Sequence, residues 1–358
     1  MGDINVVITG GGTGGHVFPA IQVAKSLRKK GFNVFYLGSS SGMEGHYARE
    51  NGIEFMAIAS GKLRRYFSVM NLIDPFKILF GVIESLYYLV KIKPKFIFSK
   101  GGFVSVPVCI GAFVLGIPVY LHESDLTFGL ANRIVAYFAV KVLVSFREST
   151  KYYPDKAVYV GNPIREEFLG ESMPIDANCL SSLMGKPLLF VCGGSLGASF
   201  VNNLIVKNIE EITKFCDVIL QCGKGKKSNS ISVDKGFMEI EFLSAREMSY
   251  LYQKASLIVS RAGAGQIAEL AFFKKPTILI PLTRSASRGD QIENADLLRK
   301  NEAAIVLDEG GISDEEFVST LQNLINNPAQ REYLSKNIES FYNKQVTTDI
   351  LNVLLERN

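Results

Sequence analysis

Two apolar runs, Ile4 to Thr9 and Leu188 to Cys192, each break into a glycine cluster and then into a segment of helical composition. The first cluster is Gly10 to His16 (GGGTGGH), followed by Pro19 to Lys30; the second is Gly193 to Ala198 (GGSLGA), followed by Phe200 to Glu211. A strand that is apolar on both faces must be covered on both. A glycine turn into a helix is how a parallel sheet acquires that cover. The same opening in both halves predicts an α/β chain of two Rossmann-like, doubly wound parallel-sheet domains. A length of 358 residues exceeds what one ordinary core organises and suits two.

Between and after these openings the alternation persists. Asn33 to Leu37, Phe96 to Ser99, Val119 to His122 and Val142 to Val144 read as strands, and Gly42 to Asn51, Pro107 to Leu115 and Thr127 to Phe138 as helices. In the second half Asp217 to Gln221, Leu257 to Ser260 and Thr277 to Ile280 read as strands, and the polar stretch Lys224 to Lys235 as a loop. Val160-Gly161-Asn162-Pro163 interrupts the pattern and reads as a linker. The expected division is therefore 1–161 and 162–340, with 341–358 carrying a last helix, Gln345 to Glu356, back to the first domain. Phe103 to Leu121 holds 19 residues without a charge, near the length that spans a bilayer. Pro107, Gly111, Gly116 and Pro118 divide it, so a buried helix followed by a buried strand is expected instead.

The glycine clusters carry the first chemical signal. Where a strand turns into a helix, free N–H groups and the helix dipole favour an anion by about 0.3 to 2 kcal/mol, and glycine lets a phosphate approach the backbone. Gly101-Gly102 adds a third such turn. The spacing Gly10, Gly12, Gly15 also matches the dinucleotide fingerprint, which needs an acidic residue ending the second strand. That strand runs Phe35-Tyr36-Leu37-Gly38-Ser39 without one, which weighs against a nicotinamide or flavin oxidoreductase. Five cysteines, Cys109, Cys179, Cys192, Cys216 and Cys222, show neither disulfide nor zinc-ligand spacing. The N-terminus enters its first strand without a signal-peptide pattern, so a cytosolic protein is expected. Charge is uneven: residues 1–160 hold 18 Lys and Arg against 10 Asp and Glu, a net of +8, and the remainder holds 21 against 25, a net of −4. A basic first half suits an anionic membrane face.

Seven motifs then run in order along nearly the whole chain: GGGTGGHVFPA at Gly10, GGF at Gly101, HES at His122, GNPIR at Gly161, GGSLGA at Gly193, SRAGAGQIAEL at Ser260 and DQIENA at Asp290. This set resembles the MurG family of peptidoglycan UDP-N-acetylglucosamine transferases. The resemblance implies a GT-B fold, its two domains facing a central cleft, and an inverting transfer of N-acetylglucosamine from UDP-N-acetylglucosamine. The implied acceptor is the 4-hydroxyl of the muramoyl sugar of lipid I, and the product lipid II. It further implies a peripheral protein at the cytoplasmic face of the cell membrane, serving peptidoglycan synthesis and through it cell shape and division. Other cell-wall synthesis proteins are implied partners; no cofactor and no nucleic acid are. The first domain would take acceptor and membrane, the second the UDP-sugar.

Carried over by motif, Thr13, Gly14 and Gly15 border donor and acceptor, Arg165 and Ser195 face the diphosphate, and Leu243 presents backbone to the uracil. Ala264, Gly265 and Gln266 lie at the diphosphate, and Glu269 takes both ribose hydroxyls, a diol that a carboxylate can accept twice. The chain departs from the pattern at Asp125, where Asn is frequent, at Asp290, where Gln or His is, and at Gly265-Gln266, where Leu-Thr can stand. An ionised Asp cannot donate to an acetyl carbonyl, which leaves the amides of Gln291 and Asn294 as donors. Two other readings are a related GT-B transferase that makes glycolipids and a non-catalytic lipid- or sugar-binding protein.

Inverting transfer needs a base for the acceptor hydroxyl and help for the departing diphosphate. His16 is the candidate base, because imidazole ordinarily titrates near neutrality; Glu123 and Asp125 are the next choices. No D-x-D motif is present, so helix N-termini and Arg165 are expected to stand in for a divalent cation. From Lys62 to Lys95, Leu72, Phe76, Leu79, Phe80 and Ile83 share a face at helical spacing, flanked by Lys62, Arg64, Arg65 and Lys77. The apolar residues extend around nearly the whole helix, which predicts burial on one side and membrane contact on the other.

Overall fold

The computed structural model describes residues 4–61, 70–175, 183–194, 197–228 and 236–356, and the side chains of all of these except 70–73. Two compact units divide the chain, one of residues up to Ile164 together with Asn343 onward, the other Arg165 to Tyr342.

The first unit is built on a parallel sheet of seven strands in the order β3-β2-β1-β4-β5-β6-β7. These are β1 (Asn5–Thr9), β2 (Asn33–Ser39), β3 (Glu54–Ile58), β4 (Ile97–Ser99), β5 (Val119–Glu123), β6 (Lys141–Val144) and β7 (Ala157–Tyr159). Helices α1 (Gly14–Lys29), α2 (Glu44–Glu50), α3 (Met70–Ile92), α4 (Ser105–Val114) and α5 (Leu130–Phe138) connect them. The strand order reverses between β1 and β4, and in such sheets ligands sit at the carboxyl ends of the strands flanking that reversal. The uncharged stretch after Phe103 resolves into α4 and β5, as two prolines and two glycines require.

The second unit has six parallel strands in the order β10-β9-β8-β11-β12-β13. They are β8 (Leu188–Cys192), β9 (Asp217–Gln221), β10 (Phe237–Ile240), β11 (Leu257–Ser260), β12 (Thr277–Leu279) and β13 (Ile305–Val306). Its helices are α6 (Ser199–Lys207), α7 (Ile209–Ile212), α8 (Ala245–Lys254), α9 (Ala264–Phe272), α10 (Asp290–Lys300), α11 (Asp314–Asn326) and α12 (Pro328–Glu339).

A final helix, α13 (Val346–Leu355), belongs to the first unit, where Val346, Ile350, Leu351, Val353 and Leu354 join the core formed by β1 and α1. A fully buried aliphatic side chain is worth about 1.5 to 3 kcal/mol, so these five contribute on the order of 10 kcal/mol, as much as a whole domain retains. The passage between units falls after Ile164 rather than Gly161, and the return at Asn343 rather than 341.

Three differences from the sequence reading have physical reasons. Helix α1 begins at Gly14 and passes through Pro19, whose missing N–H costs one intrahelical bond within a helix otherwise buried along one face. The segment Phe200 to Glu211 breaks at Asn208 into α6 and α7. Strands β3, β7, β10 and β13 lie outside the expected set because each is a short edge strand, mostly half-buried and too brief to display a strand's alternation.

Candidate active site

In the first unit the motif residues gather at the carboxyl ends of β1, β4 and β5. Thr13 is the extended N-cap of α1, and Gly14, Gly15 and His16 form its first turn. The Gly10–His16 loop lies against the Gly101-Gly102 turn, where the Gly11 amide donates to the Gly101 carbonyl at 3.4 Å. Gly102 has φ +83°, and a Cβ there would stand 2.5 Å from the Gly11 carbonyl oxygen and 3.3 Å from His16 Cδ2. Only glycine permits both the conformation and the approach.

Beneath these loops lies a chain of buried polar groups. The His122 Nε2–H donates to the Gly161 carbonyl at 2.8 Å, which leaves Nδ1 as an acceptor, and Lys100 Nζ donates to it at 2.8 Å. Lys100 Nζ also donates to Ser124 Oγ. Burial, then the Lys100 charge, hold His122 well below the usual imidazole range, so it stays neutral. Glu123 accepts the Asp125 amide at 3.0 Å, the Gly129 amide at 3.3 Å and Asn132 Nδ2 at 2.8 Å. A carboxylate so buried and so fully engaged orders the turn that presents Asp125, which is itself half-buried.

An acid does reach the end of β2, from the helix that follows it. Glu44, delivered by α2, accepts the Ser39 amide at 2.9 Å, but it is fully buried. It supports the glycine loop from behind and is closed to a ribose.

In the second unit the motif residues gather around the start of α9. Ala264, Gly265 and Gln266 form its first turn after the extended N-cap Gly263, leaving backbone N–H groups unspent by the helix. One turn later, Glu269 accepts Arg165 Nη2 and the Tyr252 hydroxyl, each at 3.1 Å, and Gln266 Nε2 donates to the same hydroxyl. Burial raises the Glu269 carboxyl, opposed by the Arg165 charge and the Tyr252 hydrogen bond. Each carboxylate oxygen keeps a second acceptor direction.

An aromatic wall backs the cluster. The Arg165 guanidinium lies 4.2 Å over the Phe168 ring, and Tyr252 stacks on Phe273 with centroids 4.9 Å apart. Tyr252 was not singled out in the sequence, because an aromatic at helical spacing on α8 reads as core. At the other end of α8, Leu243 is buried and helps line a pocket of about 400 Å³ with Ile175, Phe242 and Glu247.

Asp290 and Gln291 start α10, where Asp290 lies 3.3 Å from Arg288 Nε and the Gln291 carbonyl accepts the Leu282 amide at 3.2 Å. Asn294 is buried and donates to the Ala262 carbonyl at 3.1 Å, tying α10 to the turn before α9. Its amide serves the scaffold. Ser195 lies outside the described residues, as do Lys62, Arg64, Arg65 and the Leu72 side chain.

Helix α3 is two-faced. Ser85, Leu89 and Ile92 are buried, and Glu84 accepts the Ala59 amide at 2.6 Å. Phe76, Leu79, Phe80 and Ile83 are exposed, Phe76 at 73%, and Tyr87 and Val90 extend the same stripe. No helix among the described residues is long and apolar enough to cross a membrane.

Comparison with known proteins agrees with the motif order. Residues 6–144 match the glycosyltransferase family 28 N-terminal domain and residues 188–349 the family 28 C-terminal domain. The chain is 41% identical over 351 residues to the Clostridium tetani UDP-N-acetylglucosamine--N-acetylmuramyl-(pentapeptide) pyrophosphoryl-undecaprenol N-acetylglucosamine transferase, covering 98% of this chain and 97% of that one. Its fold is similar to that of Acinetobacter baumannii MurG, with a TM-score of 0.78 at 23% identity over 99% of this chain and 100% of that one. A UDP-N-acetylglucosamine 2-epimerase shares the fold too, with a TM-score of 0.69 at 12% identity over 99% and 96%, so fold alone does not name the reaction. Family models over both domains and high identity along the full length show that the chain belongs to glycosyltransferase family 28.

Proposed function

We infer that this protein transfers N-acetylglucosamine from UDP-N-acetylglucosamine to the 4-hydroxyl of the muramoyl sugar of lipid I, giving lipid II. The observation that carries the reading is 41% identity to a named transferase of this reaction over nearly the full length of both chains. The Arg165–Glu269–Tyr252–Gln266 cluster at the start of α9 gives that identity a chemical site.

The roles follow from the groups present. The acceptor hydroxyl attacks the anomeric carbon from the face opposite UDP, His16 takes its proton, and the bond from that carbon to the diphosphate breaks. The leaving oxygen gains charge, which the N–H groups opening α9 and the Arg165 guanidinium stabilise. Glu269 accepts the ribose hydroxyls through its remaining lone pairs, and Leu243 offers backbone to the base beside its pocket. Thr13, Gly14 and Gly15 border both sugars, and Gln291 supplies the donor to the acetyl carbonyl that Asp290 lacks. The exposed stripe of α3 docks on the anionic cytoplasmic face of the membrane, where the acceptor lipid resides.

Incubation of purified protein with labelled UDP-N-acetylglucosamine and lipid I tests the reading. Labelled disaccharide lipid is expected, with no transfer from UDP-glucose at equal concentration. Transfer of another sugar, or to another lipid only, would favour the glycolipid-forming alternative.

A further inference from the structure

Lys100 directly follows β4 inside the first unit and has no exposed surface. A buried lysine is costly unless its ammonium is matched, so its partners indicate its use. Its main-chain amide donates to the Thr9 carbonyl at 2.8 Å, and a side chain at Gly10 would meet its Cβ at 3.0 Å, which sets it directly against the first glycine loop. Its Nζ reaches His122 Nδ1 at 2.8 Å and Ser124 Oγ, the two residues that flank Glu123. The charged groups facing it are the carboxylates of Glu123 and Asp125, and His16 acts on the same His122 ring. The HES motif continues into Asp125.

We propose that Lys100 is a positioning residue for the transfer: its buried ammonium is the counter-charge that, through its bonds to His122 and Ser124, holds the turn from His122 to Asp125 in register with the first glycine loop. This rests on the reading that the acceptor binds in the first unit.

Burial lowers the Lys100 ammonium to about 7, with Glu123 and Asp125 opposing the shift. Proton loss from a group held near 7 removes the counter-charge as the pH rises through that value. The acceptor-side kcat/KM therefore gains a falling limb above neutrality that donor binding lacks.

The test is a double-mutant cycle on the full-length enzyme, reading kcat/KM for lipid I at saturating UDP-N-acetylglucosamine from pH 6 to 9. Lys100→Met is expected to lower it by about tenfold or more, to leave the KM for UDP-N-acetylglucosamine unchanged, and to abolish the falling limb. In a Ser124→Ala background the same change is expected to cost at least about threefold less, because residues in one hydrogen-bond network couple. Lys100→Gln keeps N–H donors for His122 and Ser124 without the charge, and carries the test if the Met variant does not fold. It is expected to lose the falling limb as well. Full acceptor kcat/KM in Lys100→Gln with the limb intact, or equal costs in both backgrounds, would overturn the proposal while leaving His16→Ala impaired. Undiminished turnover in His16→Ala and Asp125→Asn would instead remove the acceptor site from this unit.

Discussion

In the first unit the ionisable groups lie behind the glycine loop, and in the second they lie beside it. Lys100, His122, Glu123 and Glu44 are all buried around the Gly10–His16 turn, and His16 and Asp125 are the half-buried members. Around α9 the order is reversed: the first turn keeps its own N–H groups, and Arg165, Tyr252 and Glu269 form a network one turn further along, backed by Phe168 and Phe273. Under the proposed transfer the same strand, turn and helix would serve two kinds of chemistry. A buried charge network would fix the orientation of groups that must exchange a proton, whereas helix-start N–H groups with an adjacent guanidinium would receive an anion that changes charge during reaction.

This contrast can be broken in several ways. The largest effect is expected at His16, since a positioned base acts in the transition state. Turnover in His16→Ala should fall by about 10² to 10⁴ in steady-state assays. Full turnover would leave the first unit without its base.

A smaller effect is expected at the exposed stripe of α3. Changing both Phe76 and Phe80 to Ser should weaken sedimentation with anionic vesicles by about tenfold or more, since full burial of each large apolar side chain is worth about 1.5 to 3 kcal/mol and a docked side chain is buried only in part. Binding should also weaken as salt rises, because each Lys or Arg near such a surface contributes about 1 kcal/mol that screening removes. Vesicle binding indifferent to both changes would detach the first unit from the membrane.

The smallest effect is expected from chelation. If the start of α9 and Arg165 carry the leaving group, activity should persist in excess EDTA. Complete loss restored by magnesium or manganese would show that these groups are insufficient.

Much of this could be read before any coordinates, because the informative residues are those whose backbone or burial leaves little choice. Strands β8, β9 and β11 each hold a run of consecutive apolar residues and match their expected bounds to the residue, and the glycine turns mark both helix starts. The outer strands were less legible, since two to five residues are too few to display the period that identifies a strand. Within the site, Glu269 and His16 stood in motifs, but Tyr252 and Lys100 did not. Tyr252 is recruited from α8 by a contact across 17 residues, and Lys100 meets its partners across 22 and 24. A charged residue closing the apolar strand Phe96-Ile97-Phe98-Ser99 was the one local sign of Lys100. Glu44 is absent from β2 itself and reaches its end from the following helix.

The division of labour between the two units is tested most directly by calorimetric titration of UDP into Glu269→Ala beside His16→Ala. Affinity should fall by about 10- to 100-fold in Glu269→Ala, as expected for losing hydrogen bonds to a charged group, and should be unchanged in His16→Ala. Because burial raises the Glu269 carboxyl, wild-type affinity should already decline above the ordinary carboxylate range as the pH falls, and Glu269→Gln should lack that decline. Unchanged UDP affinity in Glu269→Ala, or a comparable loss in His16→Ala, would contradict the account.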